Sequence, residues 1–101
     1  MVNWKEIWSN KSSQVDEQSK LLPQLIKLNG FDTGFGSICE EEWLILTQHI
    51  ADIGGISADS EVFEIGCGSG ALLAALQSQT NCHISGIDYS QPLIHVAKKY
   101  V

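Results

Sequence analysis

The sequence is short of positive charge. Its 101 residues carry 6 Lys and Arg against 12 Asp and Glu, a formal net charge of −6. A phosphate backbone is repelled by that balance, so nucleic acid is not an expected partner. Long apolar runs are also missing. None approaches the roughly 18 residues of a membrane span, and no membrane association is expected. The N-terminus opens with Asn3, Trp4, Lys5 and Glu6 and lacks the basic head and apolar core of a signal peptide. A soluble cytoplasmic chain is the expectation. Cysteines are few and scattered: Cys39, Cys67 and Cys82 form no C-x-x-C pair and are odd in number. Neither a zinc site nor a disulfide framework is indicated, and three reduced thiols, two of them buried, are expected. No internal repeat or low-complexity segment is visible. What is present, 44% hydrophobic and 18% charged residues, suits one small globular domain.

The first third reads as helical. Trp4, Ile7, Trp8 and Val15 recur at helical spacings, with Asn3 as a cap. Ser12 or Ser13 is placed to cap a second helix with Asp16 and Glu17 in its first turn. Pro23 can start a short helix to Leu28, which Asn29-Gly30 would stop. Residues 29–37 hold three glycines and two phenylalanines, Phe31 and Phe35. They read as a linker, either pinned to the core by its aromatics or acting as a lid. Ser37-Ile38-Cys39-Glu40 has the capping-box spacing. A helix from Ile38 to about Ile53 follows, with Trp43, Leu46, Ile50 and Ile53 on one face. Glu40, Glu41 and Glu42 suit its dipole, and Gly54-Gly55 ends it. This divides the chain into an N-terminal helical cap or lid segment, 1–36, and the N-terminal part of a cofactor-binding domain, 37–101.

From residue 61 the pattern changes. Glu61 to Ile65 is a β-branched and aromatic strand. Gly66-Cys67-Gly68-Ser69-Gly70 is a turn with glycine at every second position, and a helix from about Gly70 to Gln79 follows. Thr80-Asn81 breaks it. Cys82 to Ile87 is a second strand ending at Asp88, and Ser90 caps a last helix with Pro92 in its first turn. Strand, helix, strand, helix is a βαβ unit with parallel strands. Ligands bind beyond the carboxyl ends of such strands, which puts the glycine turn and Asp88 on one rim.

Asp88 lies about 20 residues past the turn, the separation at which an acid meets a ribose in dinucleotide folds. A ribose-bearing cofactor is therefore expected, held by a turn and a helix N-terminus that offer backbone N–H groups. Gly66-x-Gly68-x-x-Ala71 satisfies the dinucleotide fingerprint G-x-G-x-x-G/A. Glu64, two residues earlier, would repel a pyrophosphate.

Glu64-x-Gly66-x-Gly68-x-Gly70 resembles the E/D-x-G-x-G-x-G signature of class I S-adenosylmethionine-dependent methyltransferases. Gly86-Ile87-Asp88-Tyr89-Ser90, followed by Leu93 and Ala97, is similar to that family's second strand and its acidic end. The resemblance covers residues 61 to 100. It implies an α/β, Rossmann-like three-layer sandwich and S-adenosylmethionine as cofactor. Carried onto this chain, Glu64 would help hold the methionine ammonium. Gly66, Cys67 and Gly68 would let the methionine part approach the backbone, with Gly70 completing the turn. Asp88 would take the ribose hydroxyls, Tyr89 would pack on adenine, and Ser90 would cap the helix and shape the pocket. A cation-bearing cofactor also suits an acid at Glu64. Trp4, Trp8 and Phe35 read either as core aromatics or as part of a closing N-terminal region. Cys67 reads as structural; His49, His83 and His95 read as surface residues, and no metal is expected.

The resemblance also implies a sheet of seven strands, of which this chain supplies the first two. The chain is expected to be an incomplete domain, the N-terminal part of a methyltransferase, inactive by itself. If it is complete, a homo-oligomer must finish the sheet. The acceptor is expected to be a small molecule, and no catalytic base can be named. A nicotinamide or flavin dinucleotide domain and a non-catalytic module stay open as alternatives.

Overall fold

The computed structural model describes residues 14–30 and 38–101. Trp4, Trp8, Phe35, the caps at Asn3, Ser12 and Ser13, and the proposed boundary between residues 36 and 37 lie outside them. Within the described residues the elements are α1 (Leu21–Leu28), α2 (Glu40–Gly54), β1 (Glu61–Ile65), α3 (Ala71–Thr80), β2 (His83–Ile87) and α4 (Gln91–Tyr100). β1 and β2 pair in parallel, with Glu61 opposite His83 and Ile65 opposite Ile87. A parallel pair needs a crossover, and α3 provides it.

Residues 14–20 form turns rather than the expected second helix. The side chain of Asp16 explains this. Its Oδ1 accepts from the Gln18 backbone N–H at 3.0 Å, and its Oδ2 accepts from the Ser19 hydroxyl at 2.8 Å. Such an Asx turn competes with a helix for the same backbone. α1 therefore begins at Leu21, two residues before Pro23, and ends at Asn29 and Gly30, the latter at φ +86°.

α2 starts at Glu40 with Cys39 as its N-cap, two residues later than the capping-box reading places it. Ser37 lies outside the described residues. The acidic first turn of Glu40, Glu41 and Glu42 stands as expected. The buried face does not. Trp43, Thr47 and Ala51 are buried, whereas Leu46, Ile50 and Ile53 are exposed. Thr47 is tolerated inside because its hydroxyl donates to Leu44 O (3.2 Å) and lies 2.9 Å from Gln79 Oε1. Ala51 is small enough to bring α2 against Leu76 and Cys82. Partnered polarity and small size thus override the pattern of large apolar residues.

Leu25, Ile26, Trp43, Ala71, Ala75 and Val96 form one buried cluster that joins α1, α2, α3 and α4. Each fully buried large side chain there contributes about 1.5–3 kcal/mol. Ala51, Leu76 and Cys82 form a second cluster, against which Val62 and Ile84 of the sheet pack. The opposite sheet face is bare: Phe63, Ile65 and Ile87 are 58%, 79% and 53% exposed. Among the described residues, helices cover one face of the sheet only. Cys67 and Cys82 are buried and Cys39 is exposed, all three as free thiols. No described helix is long and apolar enough to cross a membrane.

Candidate cofactor site

The glycine turn leaves β1 at its carboxyl end and runs into α3. Gly68 and Gly70 sit at φ +55° and +87°, in the left-handed region that other residues occupy only under strain. Each also meets a neighbour. A Cβ on Gly68 would overlap the Asn29 side chain, and one on Gly70 would come within 3.0 Å of Val101 Cγ2. Gly68 therefore lets α1 close over the turn, and Gly70 lets α4 close beneath it.

The turn's backbone donors are already committed. Gly66 N–H and Cys67 N–H both donate to Ile87 O, at 2.8 and 3.0 Å, which ties the turn across the end of β2. Gly68 N–H donates to Asp88 Oδ2 at 2.8 Å. Ser69 N–H donates to Asn29 Oδ1 at 2.8 Å, and Gly70 N–H to Cys67 O at 2.9 Å. The Ser69 hydroxyl, fully buried, donates to Leu25 O at 2.6 Å. Each of these donors has a protein acceptor. The turn itself, residues 66 to 70, offers no free N–H, whereas the first turn of α3 has no side-chain cap, so its N–H groups are the ones left for a ligand.

A cleft of about 830 Å³ opens beside the turn. That volume is in the range of small-molecule and cofactor sites. Trp43, Leu72 and Leu93 give it an apolar wall; Glu64, Asp88 and Asn29 supply its polar side chains. No Lys, Arg or His lines it among the described residues. Glu64 is its most unusual group. Its Oε1 is buried and has no hydrogen-bond partner. Burial pushes the Glu64 carboxyl above its ordinary value, and the nearby negative charge of Asp88 adds to the shift. A half-buried acid with one buried, unpartnered oxygen beside a second acid is an arrangement that a cationic group relieves. Asp88 accepts from Ser90 N–H at 2.7 Å through Oδ1, so both of its oxygens brace backbone while keeping lone pairs for a ligand.

The other sequence-selected residues divide. Gly66, Gly68 and Tyr89 line the cleft, Tyr89 largely exposed at its mouth. Ser90 is fully buried and caps α4, its hydroxyl accepting from Leu93 N–H at 3.3 Å. Cys67 and Gly70 do not line the cleft. They face a smaller cavity between the turn and α4. Burial raises the Cys67 thiol above its ordinary value, with the charges of Glu64 and Asp88 adding to it, so the thiol is held protonated rather than as a nucleophile. His49, His83 and His95 are exposed. Sequence reasoning missed Asn29, Trp43 and Ser69 as parts of the site. The only local signal, Asn29 before Gly30, read as a helix stop.

Residues 62–101 match the family model described as a methyltransferase domain. No curated protein matches the chain. Among solved structures it is similar to coclaurine N-methyltransferase bound to N-methylheliamine and SAH, with a TM-score of 0.58 and 14% identity. The match covers 94% of this chain and 30% of that one. The likeness is one of fold. It bears out the Rossmann-like α/β class read from the sequence, and the family match bears out the resemblance to methyltransferases.

Proposed function

We propose that this chain is the cofactor-binding part of a class I S-adenosylmethionine-dependent methyltransferase. The observation that carries the reading is the polarity of the cleft. The N–H groups of residues 66 to 70 are satisfied internally, while Glu64 Oε1 is buried without a partner. A pyrophosphate is disfavoured by two nearby acids. A ligand carrying ammonium and sulfonium charge needs acids, and those are what the cleft supplies. The solved neighbour holds SAH, and the family match is to a methyltransferase domain, which supports the same choice.

When bound, the cofactor supplies a sulfonium methyl group for transfer to a nucleophile. The residues of this chain bind and orient. Glu64 holds the ammonium, Asp88 accepts from the ribose hydroxyls while bracing the turn, and Tyr89 covers the adenine. Trp43, Leu72 and Leu93 exclude water on the apolar side. Orientation and exclusion of water are the main protein contributions to a displacement of this kind. The acceptor is a small molecule, a reading supported by the net charge of −6 and by a cleft that no cationic side chain lines among the described residues. The enzyme is cytoplasmic. These 101 residues bind cofactor but do not turn over alone, because the chain spans 30% of the solved neighbour's length and offers no assigned acceptor residues. If the 101 residues act by themselves, a second copy covers the bare sheet face.

Calorimetric titration with S-adenosylhomocysteine and, separately, with NADH tests the reading. Binding of S-adenosylhomocysteine alone is expected. Binding of NADH alone would overturn the proposal in favour of a dinucleotide domain.

A further inference from the structure

Asn29 has a place in the cleft that its role as a helix stop does not explain. It follows α1, forty residues before the turn it touches. Its Oδ1 accepts from Ser69 N–H, which fixes the amide orientation, since an N–H can be met only by the carbonyl oxygen. The Nδ2 group is left over. It donates to no described residue, and Asn29 lines the cleft. The side chain also lies directly on Gly68, where a Cβ would displace it.

The other donors around the cleft are engaged or differently placed. The N–H groups of Gly66 and Gly68 go to Ile87 and Asp88. Trp43 Nε1 donates to Ala71 O at 3.1 Å. Tyr89 sits at the exposed mouth. No cationic side chain lines the cleft among the described residues. Among the described residues, an anionic ligand group entering beside the glycine turn therefore has Asn29 Nδ2 as a side-chain donor, next to the backbone N–H groups of the first turn of α3. An α-amino acid carries an ammonium and a carboxylate on one carbon. Glu64 and Asn29, an orphaned acid and a spare amide donor, line one cleft and match that pair.

We infer that Asn29 is a specificity-determining residue that donates from Nδ2 to the α-carboxylate of the cofactor's amino-acid portion. Its Oδ1 simultaneously holds the turn through Ser69. This rests on the S-adenosylmethionine reading above. The consequence is that the cofactor's amino-acid end is recognised partly by α1, an element outside the motif-bearing segment.

Two titrations test it. In the unaltered protein, decarboxylated S-adenosylmethionine keeps both cations and lacks only the carboxylate. It is expected to bind about tenfold or more weaker than S-adenosylmethionine, the scale of a charge-assisted hydrogen bond. Equal binding of the two overturns the proposal, whatever any variant does. The second titration uses Asn29→Asp, which retains an acceptor for Ser69 N–H and removes the donor. S-adenosylhomocysteine is expected to bind about tenfold or more weaker to the variant, with 5′-methylthioadenosine, which lacks the amino-acid portion, within about twofold of its original affinity. Loss of both ligands to the same degree, or of neither, overturns the role of Asn29 and leaves it a brace. Failure of the unaltered protein to bind any of these adenosyl compounds overturns the functional reading beneath it.

Discussion

The backbone N–H of Gly68 donates a 2.8 Å hydrogen bond to Oδ2 of Asp88, joining the end of β1 to the end of β2. Through Oδ1 the same carboxylate receives Ser90 N–H at 2.7 Å. Asp88 is thus a brace as well as a candidate ribose ligand. Asp88→Ala is expected to lower both unfolding free energy and S-adenosylhomocysteine affinity, each by about 1–3 kcal/mol. Asp88→Asn, which keeps one acceptor oxygen, should retain part of the stability. Urea unfolding and calorimetry check the two effects. An unchanged dissociation constant in Asp88→Ala would remove the residue from the site.

Glu64 gives a pH signature. Burial first, and the Asp88 charge second, raise its carboxyl above the usual 4.5. The folded protein then holds the proton more tightly than the unfolded chain does. Stability therefore falls as pH rises from the unfolded value through the raised folded one, and the loss is complete above it. Glu64→Gln is expected to be more stable than the original at pH 7.5 and to lack that decline. The same variant should bind S-adenosylhomocysteine more weakly, because the ligand ammonium loses its partner. Urea midpoints between pH 4.5 and 8, with and without ligand, measure both. A variant less stable at pH 7.5 and equally tight in binding contradicts this account.

Ser69 joins the turn to α1 through its buried hydroxyl and Leu25 O. Ser69→Ala removes one of the two donors to Leu25 O, which still accepts from Asn29 N–H at 3.3 Å, and a loss of about 0.5–1.5 kcal/mol in unfolding free energy is expected. The backbone bond from Ser69 N–H to Asn29 survives the change. Thermal and urea denaturation check the size of the loss, and a change under 0.5 kcal/mol, about that of an ordinary surface substitution, would mean that water replaces the hydroxyl.

Phe63, Ile65 and Ile87 form an uncovered apolar sheet face. Ile65→Lys is expected to leave the stability of a monomer within about 0.5 kcal/mol. If a second copy covers this face, the variant should sediment as a smaller species than the original 101-residue chain. Identical sedimentation of the two would place self-association elsewhere or exclude it.

The second half of the fold was legible to within a residue at each element end. β1 runs over Glu61–Ile65, as the β-branched and aromatic pattern requires, and Asn81 at φ +60° ends α3 at the expected break. Ser90 caps α4 with Pro92 in its first turn. These features are local: the signal lies within a few residues of the element it sets. The faces of α2 were not legible. Thr47 is buried against Gln79, 32 residues away, which meets its hydroxyl. The site divides in the same way. Glu64, Gly68 and Asp88 lie in a spaced motif. Asn29 acts on Ser69 across 40 residues and belongs to no periodic pattern. Asp16 shows the reverse case, in which a short-range side-chain turn overrules a plausible helix start.

The hydrogen bonds around the turn also join parts of the chain that are far apart in sequence. They span 20 residues from Gly68 to Asp88, 40 from Asn29 to Ser69 and 44 from Leu25 to Ser69. The strands they flank are themselves paired across a crossover, Glu61 with His83. Such distant contacts carry the loop-closure entropy of the intervening chain and form slowly. Helices α1 and α3 can begin to form from local contacts, but the shape of the turn requires both of them and the end of β2 in place. The cleft therefore exists only when α1, the glycine turn and the end of β2 are all in place, and a ligand that recognises it distinguishes finished molecules from partly folded ones.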